Sequence, residues 1–184
     1  MGPRLLHFAA VMLTGLALVP AGAHLFSLPS KMTLTMDQYF TVQAIYRGWA
    51  MFGAVIVPAV IANAFLAGVL LHQRRPCALN AAASALLIVA LLFFFALVQP
   101  ANLATENWTV IPPNWVELRM HWEYGHALGA ILTFLAFAAA VLSAVRQSSG
   151  AAEFDGAPAE RDDGDRGAVR FDVPLLAALL GRRP

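Results

Sequence analysis

The sequence predicts an all-α integral membrane protein, a four-helix bundle with a disordered C-terminal tail. Three observations predict it. The 184 residues are 59% hydrophobic and only 12% charged, with a mean hydropathy of +0.65, far from the roughly 25% charged content of soluble domains. The apolar residues fall into long runs, about 5–23, 48–71, 78–99 and 120–145, each long enough to cross a hydrocarbon core of about 30 Å as helix. From Arg146 to Gly167 the composition turns to Ser, Gly, Ala, Asp and Glu with almost no large apolar residue, the make-up of a chain that buries too little to fold. The four-span unit is therefore 1–146 and the tail 147–184, with an apolar centre at 173–183 that fits a short terminal helix on a membrane surface.

The charge is nearly balanced at +1, so the net value says little, and nothing in the sequence suggests a basic nucleic-acid surface. A single cysteine, Cys77, forms no internal disulfide, and no Cys or His pair has zinc-site spacing.

The first span has two readings. Leu5 to Ala23 is apolar throughout, yet Met1 to Arg4, the apolar run, Pro20 and then Ala21-Gly22-Ala23 also fit a cleaved signal peptide with an A-x-A site. His24 to Arg47 mixes Pro29, Lys31, Asp37, Gln38 and Gln43 with aromatics and reads as an interfacial loop holding a short helix. The second span contains Pro58, which kinks it, and Asn63, whose amide at membrane depth needs a partner on a neighbouring helix. The short turn His72-Gln73-Arg74-Arg75-Pro76 returns the chain antiparallel, making a hairpin with the third span. The Ala-rich first half of that span permits close helix approach.

Pro112-Pro113 end the polar loop that follows. Asn114 with Glu117 three residues on is a variant capping box, so a helix starts there. At about 100° per residue, Trp115, Arg119, Trp122 and His126 share an arc of roughly 60°, with Glu123 just off it and one turn from Arg119. From Trp115 to Val145 this helix would be roughly 46 Å long, so its first turns stand in the membrane interface.

Arg4, Arg74, Arg75 and Arg146 flank one side of a four-span chain, against Lys31, Arg47 and Arg119 on the other. The positive-inside rule then places both termini in the cytoplasm and both large loops outside. The outer side gathers His24, Tyr46, Arg47, Trp49, Asn102 and the face of the last helix at one depth, where a bundle can close a pocket around them. Each has a plainer role. Tryptophans anchor at interfaces, Arg119 and Glu123 make an ordinary i, i+4 pair, Arg47 snorkels, and a buried histidine is often only a hydrogen-bonding partner. Concentration of costly ionisable groups on one arc favours the functional reading. His121 lies off the arc, and His7 and His72 belong to the other side. Asn107-Trp108-Thr109 is formally a glycosylation acceptor.

Pro100-Ala101-Asn102, a tryptophan further on, then Trp115, Arg119, Trp122 and His126, together with Gly22-Ala23-His24-Leu25-Phe26, resemble the signature of the small four-helix membrane proteins grouped with fungal anthrone oxygenases. The resemblance covers roughly residues 5–146. It departs at Leu128, Gly129 and Ala130, where members often carry an arginine. It implies oxygenation of a planar aromatic ketone without metal, flavin or other cofactor. His126 would be the base, Arg119 the charge stabiliser, Glu123 the group that orients His126, Trp115 and Trp122 the walls, and Asn102 an amide donor, with His24 and Arg47 beside the substrate. Two other functions stand next to it. One is a non-catalytic ligand-binding or assembly protein. The other is a bis-histidine haem protein using His24 and His126. The partners implied are the bilayer and a small aromatic molecule, with no nucleic acid; self-association stays open.

Overall fold

The computed structural model describes residues 3–155, and among them it is all-helical. The elements are α1 (Pro3–Met32), α2 (Met36–Gln43), α3 (Gly53–Val69), α4 (Arg74–Phe93), a π-helical segment (Phe94–Val98) that continues α4 into α5 (Gln99–Ala104), and α6 (Trp115–Asp155). Two 3-10 turns, Ala44–Tyr46 and Trp49–Phe52, join α2 to α3 around Gly48, whose φ of 85° only glycine adopts cheaply. Among the described residues four helical stretches are long and apolar enough to cross a membrane: Arg4–Met32, Trp49–Val69, Arg74–Ala104 and Trp115–Gln147.

Two boundaries differ from the sequence expectation. α1 does not stop near Ala23 but continues through Pro29 to Met32, so the first third of the expected loop is helix. Its polar residues there are not loop signals: His24 and Lys31 are both buried and find their company on α6. Ser27 bonds back to the carbonyls of Ala23 and His24 at 2.8 and 3.1 Å, which satisfies its hydroxyl within the helix. α6 starts directly after Pro112-Pro113 and runs past the change of composition at Arg146 to Asp155, where Ala151, Ala152 and Glu153 are good helix formers. The remaining tail, 156–184, with the expected terminal helix, lies outside the described residues.

The long helices pack in the ring order α1, α3, α4, α6 and back to α1. Small residues set the close middle: Ala59, Ala83, Leu87, Ala136 and Ala140 form one dry cluster. Buried amides tie the ring together as their depth requires. Asn63 donates to Thr14 Oγ1 at 3.0 Å, from α3 to α1, and Asn80 donates to Ser143, from α4 to α6. At the end away from the α3–α4 turn the packing opens. There α6 comes so close to the π segment that a Cβ on Gly125 would lie 2.9 Å from Val98 Cγ2 and 3.1 Å from Leu97 Cβ. A side chain at 125 would therefore push the π segment and α6 apart.

Candidate functional site

The open end of the ring holds a cavity of about 1060 Å³, at the upper limit of ordinary ligand pockets. Its wall is built from all four long helices and the α2–α3 connection: Ala17 and His24 from α1, Gln43 from α2, Tyr46, Arg47 and Trp49 from the connection, Val57 from α3, Phe94 and Phe95 from the π segment, Asn102 from α5, and Trp122, His126 and Thr133 from α6. Arg47 is the one formally charged side chain among them, and it is exposed at the rim.

At its centre two imidazoles lie face to face. The rings of His24 and His126 are 3.9 Å apart and 15° from parallel. Trp122 sets its edge against both, at 4.9 and 4.4 Å, while Tyr46 leans on His24 at 4.4 Å and Trp49 at 5.6 Å. Phe94 closes the side of His126 at 6.1 Å. His24 is 6% exposed, with Nδ1 unpaired; His126 is half-buried and faces the cavity.

The orientation of Trp122 is fixed by Asn102. Its Oδ1 accepts from Trp122 Nε1 at 2.8 Å and from Trp108 Nε1 at 3.2 Å. An indole N–H only donates, so the acceptor half of the amide is settled and the NH2 is the half left for the cavity. Trp108 reaches Asn102 through a left-handed turn in which Glu106, Asn107 and Trp108 have φ of 46°, 56° and 67°. Such backbone costs on the order of 1 kcal/mol per residue. The bonds that hold it run from Asn107 N to Asn102 O at 2.7 Å and from Trp108 N to Thr105 Oγ1 at 3.1 Å.

Behind Trp122, away from the cavity, lies a second buried cluster. Lys31 Nζ meets Glu123 Oε2 at 2.7 Å, with both side chains 3% exposed or less, and stands over the rings of Trp122 and Tyr46 at 4.7 and 5.0 Å. The Tyr39 hydroxyl donates to Glu123 Oε1 at 2.9 Å. Burial pushes the Tyr39 phenol far above its ordinary range, and the Glu123 carboxylate adds to the shift. The folded state therefore holds a proton that the unfolded chain releases above about pH 10. Stability is fully present below that pH and falls above it, by up to about 1.4 kcal/mol per pH unit. Alkaline melting curves are expected to show this fall in the natural protein and to lose that part of it in Tyr39→Phe.

The sequence-predicted residues divide between the two places. His24, Arg47, Asn102, Trp122 and His126 line the cavity. Trp115, Arg119 and Glu123 do not. Trp115 packs on Tyr39 and Phe40 at 6.4 and 6.2 Å. Arg119 donates to the Leu34 carbonyl at 3.1 Å and stacks on Trp115 and Tyr39 at 5.0 and 5.3 Å. Glu123 makes no contact ion pair with Arg119, whose charge acts on it only at longer range, and its two oxygens are taken up away from His126: a carboxylate 1% exposed needs a cation and donors at contact distance, and Lys31 and Tyr39 provide them.

Lys31, Tyr39 and Gln43 escaped the sequence reading. Lys31 carried a signal, since it follows His24 by seven residues and two helical turns put both on one face, but only once α1 is known to extend that far. Tyr39 and Gln43 lie on α2, whose docking no local pattern announces.

Among the described residues no three His, Cys, Asp or Glu side chains group to hold a metal ion. Axial ligation of one haem iron by both imidazoles requires the iron and its macrocycle between the two rings. The 3.9 Å stack would have to part for that. As it stands, the arrangement can offer an imidazole nitrogen, an amide N–H and a set of aromatic faces to a flat molecule. No family model, curated protein or solved structure matches this chain.

Proposed function

We propose that the chain is a multi-pass membrane protein, a four-span bundle with both termini on the cytoplasmic side, whose cavity binds a planar aromatic ketone and oxygenates it without a cofactor. The observation that carries this reading is the stacked His24–His126 pair on the wall of an aromatic cavity. Four long apolar helices support the membrane placement. The burial of Lys31 in an ion pair leaves the arginines beside the α3–α4 turn and the chain ends as the larger free positive charge, which supports the orientation.

The chemistry follows from the groups present. A methylene conjugated to a carbonyl gives up a proton to a neutral imidazole, for which His126 is placed, and the resulting enolate is held by the Asn102 amide and the Arg47 charge at the rim. Arg119, bound elsewhere, has no part in this. The carbanion transfers an electron to dioxygen, the two radicals join as a peroxide, and the imidazolium returns its proton to it. Loss of water then turns CH2 into C=O: one oxygen atom stays in the product, the other leaves as water, and no external reductant is needed.

A second reading, a binding protein without catalysis, is favoured by one observation: neither Arg119 nor Glu123 reaches the cavity. One pair of measurements separates the two. Purified protein mixed with anthracen-9(10H)-one is expected to melt at higher temperature and to consume oxygen with the quinone as product. Stabilisation without oxygen uptake supports the binder; neither effect refutes both readings for this substrate class.

A further inference from the structure

The cavity is not closed on its lipid-facing side. α4 packs against α3 along its regular turns, but the π segment that continues it packs against α6 and α5 and makes no comparable contact with α3. Gly125 explains the divergence: without a side chain there, α6 accepts Leu97 and Val98 at contact distance and draws the π segment toward itself. α3 does not follow: its first turn continues directly from the Trp49–Phe52 turn of the connection, and Pro58 removes one backbone donor from it. The result is a gap edged by Phe52, Val57 and Phe95, which line the cavity and are yet 37%, 49% and 63% exposed. Val57 and Phe95 belong to stretches apolar enough to span a membrane.

We infer that planar apolar molecules dissolved in the bilayer reach the cavity sideways, through the gap between α3 and the π segment of α4. This rests on the membrane reading above and narrows its ligand class to molecules that partition into lipid. Phe52, Val57 and Phe95 carry no charged or hydrogen-bonding group, and such an edge suits a flat hydrocarbon-like ring and repels an ion. The water-side rim, by contrast, carries Arg47, Asn107 and Thr109 and is partly covered by the rings of Tyr46 and Trp49, 5.0 Å apart.

The test needs no substrate. With Cys77 replaced by serine, Ala17→Cys puts one thiol inside the cavity, on the α1 wall. The protein in lipid vesicles is treated with N-(1-pyrenyl)maleimide, which dissolves in the bilayer, or with a trimethylammonium maleimide, which stays in water. The pyrenyl reagent is expected to react at least about tenfold faster than the charged one, after each rate is normalised to its reaction with a free thiol in the same phase. Val57→Trp should slow it by about tenfold or more, and Phe95→Ala, which widens the gap, should speed it. Equal rates for the two reagents, or pyrenyl labelling indifferent to both variants, would overturn the inference. Should Val57→Trp fail to fold, the Phe95→Ala arm decides alone. Sideways labelling in a protein that never consumes oxygen would retire the oxygenase and leave the gap standing; oxygen uptake with labelling only from water would do the reverse.

Discussion

Lys31→Ala is expected to lower stability by about 3–5 kcal/mol, because it strands a carboxylate with no counter-charge in contact with it in a place water does not reach. Glu123 is 1% exposed, and its remaining partner, the Tyr39 hydroxyl, is a neutral donor. Among the described residues neither Lys31 Nζ nor Glu123 Oε2 has another hydrogen-bonding partner, and Arg119, the other cation that acts on Glu123, does so only at longer range. Losing the Glu123 side instead, as Glu123→Ala, should cost about as much by leaving the ammonium unpaired under the two rings. Removing both charges together is a different case. Lys31→Met with Glu123→Leu should recover most of the loss, since an apolar pair of similar size needs no compensation, short of about 1 kcal/mol for the abandoned Tyr39 hydroxyl. Thermal and denaturant unfolding in detergent measure all three. A single variant within about 1 kcal/mol of the natural protein would mean that the pair is not buried as ions.

The ion pair also reaches the cavity. Lys31 lies two turns from His24 on α1, and Glu123 lies three residues before His126 on α6, so the contact sets the height at which the two helices meet and hence the register of the imidazole stack. The double variant keeps the packing and loses that specification. It should fold, with the cavity's tryptophans in a less uniform environment, seen as broader fluorescence.

What was legible in the sequence was periodicity. Four apolar runs were long enough to be spans, and a spacing of about 100° per residue put Trp122 and His126 on one face of the last helix. Periodicity reports the face of a helix and is silent on height. Trp115 and Arg119 share the arc with Trp122 and His126, but α6 outreaches the cavity, and its first two turns lie against α2 instead. Hydropathy misled in the opposite sense at the end of α1, because a scale assigns His24 and Lys31 the cost of polar groups in water and cannot see that α6 supplies a ring for one and a carboxylate for the other. The π segment was not legible at all: Phe94-Phe95-Ala96-Leu97-Val98 is uniformly apolar, and its close approach to Gly125 on α6 is a tertiary contact that no local pattern marks.

The second large effect concerns the imidazoles. With a planar aromatic ketone as substrate, His126→Ala is expected to lower oxygen consumption by about 10²–10⁴-fold, the usual worth of a positioned general base. Binding, followed by quenching of Trp49 and Trp122 fluorescence, should change little, because the aromatic walls remain. His24→Ala is the informative contrast. His24 supports the face of His126 but turns an unpaired Nδ1 into buried surroundings, so its loss removes a stacking contact of about 0.5–1.5 kcal/mol and should slow turnover by about tenfold at most. The two rings thus have unequal work, one as base and one as its support. Undiminished oxygen uptake in His126→Ala would sink the assignment of the base, and a His24→Ala variant slower than His126→Ala would exchange the two roles. Loss of binding along with turnover in His126→Ala would instead make that ring part of the wall, and the protein a binder whose histidines pack rather than react.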